Sequence, residues 1–245
     1  MKLPRRYLVF GATGGIGSHL ARGLVADGDR VFLTGRDPAK LGRLRDELNA
    51  PGLGADATDS AQVQAVFEAA REALGGLDGV AHCVGSLLLK PAARTTDTEW
   101  WHTLDTHLTS AFYVLRAAAA ALADRGGAVV FVSSAAARHG FANHEAIAAA
   151  KAGLIGLTLS AAATYARQKL RVNCVAPGLT RTPLTAGLTG NEIVLKNSSA
   201  LHALGRIGEP AEVAAAIRFL LEQEWITGQV LGVDGGLSSV QVRAT

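Results

Sequence analysis

The run Tyr7-Leu8-Val9-Phe10-Gly11-Ala12-Thr13-Gly14-Gly15-Ile16-Gly17-Ser18 decides the fold. Its first four residues have strand character, and residues 18–26 carry helical periodicity. Glycines between them let the chain turn tightly and let backbone N–H groups approach a pyrophosphate, whose charge the next helix N-terminus favours. A glycine-rich turn alone is a weak signal. Between a strand and a helix, at the start of an alternating chain, it marks Gly11, Thr13, Gly14, Gly15 and Ile16 as dinucleotide-binding residues.

Outward from this turn the alternation continues. Residues 31–34 read as a second strand, 38–49 as a charged helix, and a weak third strand ends at Ala55. Asp59 opens a helix with apolar spacing of three and four, and further strands are expected at 79–83, 128–132, 170–175 and 229–233. Strands separated by helices imply parallel pairing through right-handed crossovers, and unbroken apolar strands imply burial on both faces. The expected fold is α/β: a doubly wound Rossmann fold, one mostly parallel seven-stranded sheet with helices on both faces. With no linker, repeat or low-complexity tract, residues 1–245 read as one domain. Residues 182–206, with Pro183, Gly187 and Gly190, break the rhythm and read as a mobile excursion over a site. The tail after Gly236 is short enough to pack on a neighbouring subunit.

A chain of 245 residues, 49% hydrophobic, buries a large core, and a net charge of +3 from scattered Lys and Arg argues against a nucleic-acid or membrane surface. Only two cysteines occur, Cys83 and Cys174, both inside expected strands; buried free thiols fit a reducing cytoplasm. The N-terminus lacks the apolar core of a signal peptide. Arg116 and Lys151 interrupt the best apolar runs, so no membrane span is expected. No metal site is expected.

The spacing Gly-x-x-x-Gly-x-Gly at Gly11, Gly15 and Gly17 resembles the short-chain dehydrogenase/reductase family, and the resemblance runs over nearly the whole chain. Asp56-Ala57 matches the pair that holds the adenine, and His82-Cys83-Val84-Gly85 stands where the family has Asn-Asn-Ala-Gly. Asn173 through Pro177-Gly178, with Thr180 and Thr182, matches the segment that cradles the nicotinamide carboxamide. Gly228 and Asp234-Gly235-Gly236 match its C-terminal signature. The resemblance implies a nicotinamide dinucleotide, with Cys83, Gly85, Pro177 and Gly178 beside it. Gly35 takes the acidic position that would bind ribose hydroxyls, and Arg36 follows; a guanidinium there pairs with a 2′-phosphate. NADP(H) is therefore favoured over NAD(H).

By the same resemblance, a serine orients the substrate carbonyl, a tyrosine thirteen residues on handles the proton, and a lysine four further holds the ribose. Ser134 and Lys151 fit these spacings, but position 147 is isoleucine, and the family's helix asparagine is His107. Losing a positioned acid costs roughly 10²–10⁴ in rate. His107 is the best substitute, since a histidine suits proton transfer, although a histidine on an alanine-rich helix is more often a packed residue with one nitrogen satisfied. Asn143-His144-Glu145 reads as a helix start or as a second source of a proton.

Three readings stay open: an NADP(H)-linked reductase of a hydrophobic carbonyl compound or acyl thioester with a rebuilt proton donor; a carbon–carbon double-bond reductase; and a non-catalytic dinucleotide-binding sensor or partner subunit. The resemblance further implies a homodimer or homotetramer through the helices around 100–123 and 145–166.

Overall fold

The computed structural model describes residues 3–241. Seven strands form one parallel sheet: β1 (Arg6–Phe10), β2 (Arg30–Gly35), β3 (Gly52–Gly54), β4 (Gly79–His82), β5 (Gly127–Val132), β6 (Leu170–Pro177) and β7 (Val230–Val233). Their order is β3-β2-β1-β4-β5-β6-β7. The direction of winding reverses between β1 and β4, where the carboxyl ends of the strands leave a crevice.

Side-chain alternation explains why these strands are apolar throughout. In β1, Leu8 and Phe10 point to one face, and in β5, Val129 and Phe131 do the same. They meet α3 (Ser60–Leu74), α5 (Ser110–Ala121) and α6 (Glu145–Tyr165). Tyr7, Val9, Val130 and Val132 point the other way, onto α1 (Gly15–Ala26), α2 (Pro38–Leu48) and α9 (Pro210–Glu222). Every interior strand thus buries both faces.

Local chemistry sets the helix starts. Asp37 caps α2 by accepting from Ala39 N and Lys40 N, and Asp59 caps α3 through Ala61 N and Gln62 N. Thr96 and Glu99 form a reciprocal capping box that starts α4 (Asp97–Leu104) three residues earlier than the sequence reading placed this helix. α4 runs into α5 through a single π-helical turn, Asp105–Thr109, which carries His107. Sequence periodicity cannot show such a turn, because one extra residue per turn leaves composition unchanged.

Three expectations change. The third strand is only three residues long. The 182–206 excursion is largely helical, with α7 (Ala186–Thr189) and α8 (Glu192–Leu201), the latter capped by Asn191. The stretch Glu145–Gln168 reaches a mean hydropathy of 1.6, so by length and composition alone it could cross a membrane, against the expectation that no span is long enough. Its apolarity has a source inside the fold: Leu154, Ala161 and Ala162 are buried in the core, and Lys151 is buried with them.

Candidate active site

At the crevice, Gly11 sits at φ +70, and a Cβ there would lie 2.7 Å from the Cys83 carbonyl. Only glycine combines that backbone with that approach. Ala12 N–H donates to Thr34 O (2.9 Å) and Gly14 N–H to Gly11 O (3.0 Å), closing the turn. Gly14 caps α1 with no side-chain partner, so the first N–H groups of that helix are left for a ligand. Across the gap, a Cβ on Gly15 would fall 2.8 Å from Thr182. Asn173 holds the base of that opposite wall: its amide donates to Ile226 O and its carbonyl accepts from Gln229 N, both at 2.9 Å.

These groups open into a cavity of 740 Å³. Gly11, Thr13, Gly14, Gly15, Ile16, Arg36, Ala57, Cys83, Gly85, Pro177, Gly178, Thr180, Thr182, Ser134, His107, Ile147 and Lys151 all line it. Asp56 does not: Ala55 and Ala57 face the cavity on either side, while its Oδ1 accepts from Thr58 N (2.9 Å) and Thr58 Oγ1 (2.8 Å). Asn173 is likewise outside the lining, serving the backbone behind it.

At one end lie Gly35, Arg36, Asp37 and Lys40. A Cβ on Gly35 would meet Thr13 Oγ1 at 2.8 Å and Thr13 Cγ2 at 3.0 Å. The Asp37 carboxylate is held below its usual range by the Lys40 N–H it accepts from, and Lys40 Nζ lies 3.5 Å away. Its charge is therefore spent on the start of α2. Arg36 is 60% exposed, with only a loose 3.9 Å contact to Asp56. Lys40 is a second cation here that the motif reading missed; its place one turn after Arg36 was the available signal.

At the other end, Ser133 Oγ donates to Lys151 O (2.9 Å), tying β5 to α6. Ser134 Oγ accepts from Ala136 N (3.1 Å), which leaves its hydroxyl proton to give. Lys151 Nζ donates to Val132 O (2.5 Å), and burial lowers its pKa to about 8. Ile147 lies one turn earlier on α6 and is 7% exposed. Among the described residues no tyrosine lines the cavity.

His107 reaches in from the π-turn, where such turns often place functional groups. Its Nε2 accepts from Ser86 N–H (3.3 Å) and sits 3.1 Å from Ser86 Oγ. The proton therefore rests on Nδ1, which is buried without a partner among the described residues. Burial first, then Lys151 and His82, push its pKa down to about 2, so the ring is neutral. A Cβ on Gly85 would lie 3.3 Å from His107 Cε1, so the glycine lets the ring approach closely. His82 sits behind the cavity, with Nε2 at 2.9 Å from Ser110 Oγ; that hydroxyl donates to Thr106 O (2.7 Å). His202, unmarked by any motif, is buried behind Gly178, where a Cβ would fall 2.6 Å from its Nε2.

A doubly wound parallel sheet with a glycine turn facing a cavity at its switch point defines a dinucleotide-binding α/β protein. The family described as enoyl-(acyl carrier protein) reductase matches residues 11–238. Carbonyl reductase family member 4 of Danio rerio is 36% identical over 242 residues, covering 96% of this chain and 98% of that protein. The 3-oxoacyl-[acyl-carrier-protein] reductase FabG of Salmonella typhimurium is 34% identical, covering 95% of this chain and 97% of its own. The solved structure of ElxO with NADP bound superposes with a TM-score of 0.91 at 27% identity, covering 97% of this chain and all of that one (100%). The chain belongs to the short-chain dehydrogenase/reductase family of oxidoreductases.

Proposed function

We propose that the chain is an NADPH-linked reductase of a hydrophobic carbonyl compound, free or as an acyl thioester, with a proton donor other than a tyrosine. One observation carries this reading: a single cavity joins an anion-ready glycine turn and two cations at one end to Ser134 and Lys151 at the other. NADPH, when bound, supplies the hydride. The α1 N-terminus and the turn would take its pyrophosphate, and Arg36 with Lys40 its 2′-phosphate, in charge-assisted contacts. Lys151 would hold the nicotinamide ribose, and Pro177, Gly178, Thr180 and Thr182 flank the ring position. Ser134 would donate a hydrogen bond to the substrate carbonyl oxygen, orienting it. Leu87, Leu184, Leu188 and Val194 present apolar surface to the substrate.

Ile147 does not transfer a proton, so a relocated donor must recover roughly 10²–10⁴ in rate, about 3–5 kcal/mol of barrier. The test is NADPH oxidation by pure protein against ketones, quinones, 3-oxoacyl thioesters and enoyl thioesters, with cofactor affinity measured in parallel. Turnover of a carbonyl substrate is expected. Turnover of enoyl thioesters alone replaces this reading with a carbon–carbon double-bond reductase. Tight NADPH binding with no turnover replaces it with a sensor or partner subunit.

We also infer that the protein is a cytoplasmic homo-oligomer. Phe112 on α5 (45% exposed) and Leu159 on α6 (48% exposed) offer apolar surface for a helix-to-helix contact, and both cysteines are free thiols. A monomer mass in solution would overturn the oligomer.

A further inference from the structure

The reductase reading leaves the source of the proton open, and three histidines line the cavity: His107, His144 and His202. His202 is 3% exposed, with Nδ1 on Ser198 O and Nε2 closed in behind Gly178. His107 is poorly built for the task. Its lone pair is engaged by Ser86, and its only proton sits on a buried nitrogen.

His144 differs in each respect. Its Nδ1–H donates to Ala142 O at 2.7 Å, which holds that proton in place and leaves Nε2, turned away from the backbone, to take up and release a second one. Its ring is held by Phe141, with centroids 5.5 Å apart, and Phe141 in turn rests against His139 at 5.0 Å. No hydrogen bond occupies Nε2 among the described residues, and the residue is half-buried, open to both cavity and solvent.

Position completes the argument. His144 caps α6, and its carbonyl accepts the first helical bond, from Ala148 N at 2.7 Å. His144, Ile147 and Lys151, spaced three and then four residues apart, share one face of the helix. Side chains on a helix lean toward its N-terminus, so a hydroxyl carried by a long side chain at position 147 would lie over the turn of residue 144. The imidazole of His144 stands beside the place that Ile147 leaves without an acid.

We propose that His144 is the catalytic proton donor of this reductase. As the hydride from NADPH forms a C–H bond at the carbonyl carbon, the C=O π pair moves to oxygen. The donor is the imidazolium form of His144: that oxygen takes its Nε2 proton, yielding the alcohol, oxidised cofactor and a neutral imidazole protonated on Nδ1. Nδ1–H stays on Ala142 O throughout, and solvent at the mouth returns the proton to Nε2.

This inference rests on the reductase reading, and the experiment separates the two. His144→Phe keeps the ring stack and removes the proton. Against a carbonyl substrate that the unmodified protein reduces, kcat should fall by about 10²-fold or more, while NADPH affinity, read by cofactor fluorescence, changes by less than about twofold. Added imidazole should restore part of the rate to His144→Ala, and Ile147→Tyr should restore activity in the His144→Phe background. Unchanged turnover in His144→Phe overturns the inference and leaves the reductase reading standing. Loss of NADPH binding together with activity also overturns it, since the role is then structural. If the unmodified protein reduces no carbonyl compound, both fall together.

Discussion

At the scale of single residues, two of the buried histidines, His82 and His107, shape how this protein meets acid. His82 stays neutral down to about 3 and His107 down to about 2, burial being the main cause in each. In the unfolded chain both bind protons near pH 6.5. Below that pH the unfolded state therefore holds more protons than the native one, and stability is lost as pH falls, by about 1.4 kcal/mol per pH unit for each histidine. Urea unfolding at pH 6.5 and pH 5 should show this fall, and His82→Asn and His107→Asn should each remove about half of the histidine share. An unchanged difference in either variant would show that its histidine is already charged in the folded state. The residue types at 82, 107 and 147 were legible in the sequence, because each departs from a pattern of fixed spacing. Their hydrogen bonds were not. That Ser86 engages His107 depends on a loop meeting a π-turn 21 residues away, and no local preference encodes it.

At the scale of elements, the glycine turn shows how closely β1, α1 and β4 are fitted. Gly11→Ala places a side chain at φ +70 and within 2.7 Å of the Cys83 carbonyl, a backbone group directly after β4 that cannot swing aside as a side chain would. Left-handed strain and overpacking together should cost about 3 kcal/mol, read as a loss in urea unfolding free energy; a loss below about 1 kcal/mol would mean the turn adapts. Most elements were legible for a simple reason: strands buried on both faces write unbroken apolar runs, and helices between them write a period near 3.6. The failures share a cause too. β3 lies at the sheet edge with Leu53 half exposed, so it carries little apolar signal. α8 buries no residue in the core, and Pro183, Gly187 and Gly190 before it read as loop. α6 is apolar enough by composition to resemble a membrane span because nearly half of its length serves the core, Lys151 included.

At the scale of the whole molecule, ligand binding and stability are one measurement. A ligand held only by the folded state adds about 2.7 kcal/mol at a concentration of a hundred times its Kd. NADPH should therefore raise the melting temperature of this 245-residue chain by about 5–10 °C. At equal concentration NADH should raise it less, for want of a phosphate to meet Arg36 and Lys40. Arg36→Ala should weaken NADPH by about tenfold or more, the worth of a charge-assisted hydrogen bond, and leave NADH nearly unchanged. Equal losses for both would remove the 2′-phosphate from Arg36. The parallel pairing and the two covered faces of the sheet followed from the alternation of elements; the strand order came from the structure. The meeting of residues 36, 134 and 180 in one cavity followed from the switch point.

The crowding between Gly35 and Thr13 carries a consequence for redesign. On the proposed assignment of Arg36 to the 2′-phosphate, changing cofactor preference should take two positions rather than a single charge. Gly35→Asp alone inserts a Cβ against both branches of Thr13, so it should damage binding of either nucleotide before it can reward NADH. Thr13→Ser removes the branch methyl and opens a path to the exchange. Ranked by NADH affinity, the double variant should exceed the aspartate single variant by about tenfold, the value of one restored ribose hydrogen bond to a charged group. A single aspartate that binds NADH as well as the pair would show that one position is enough.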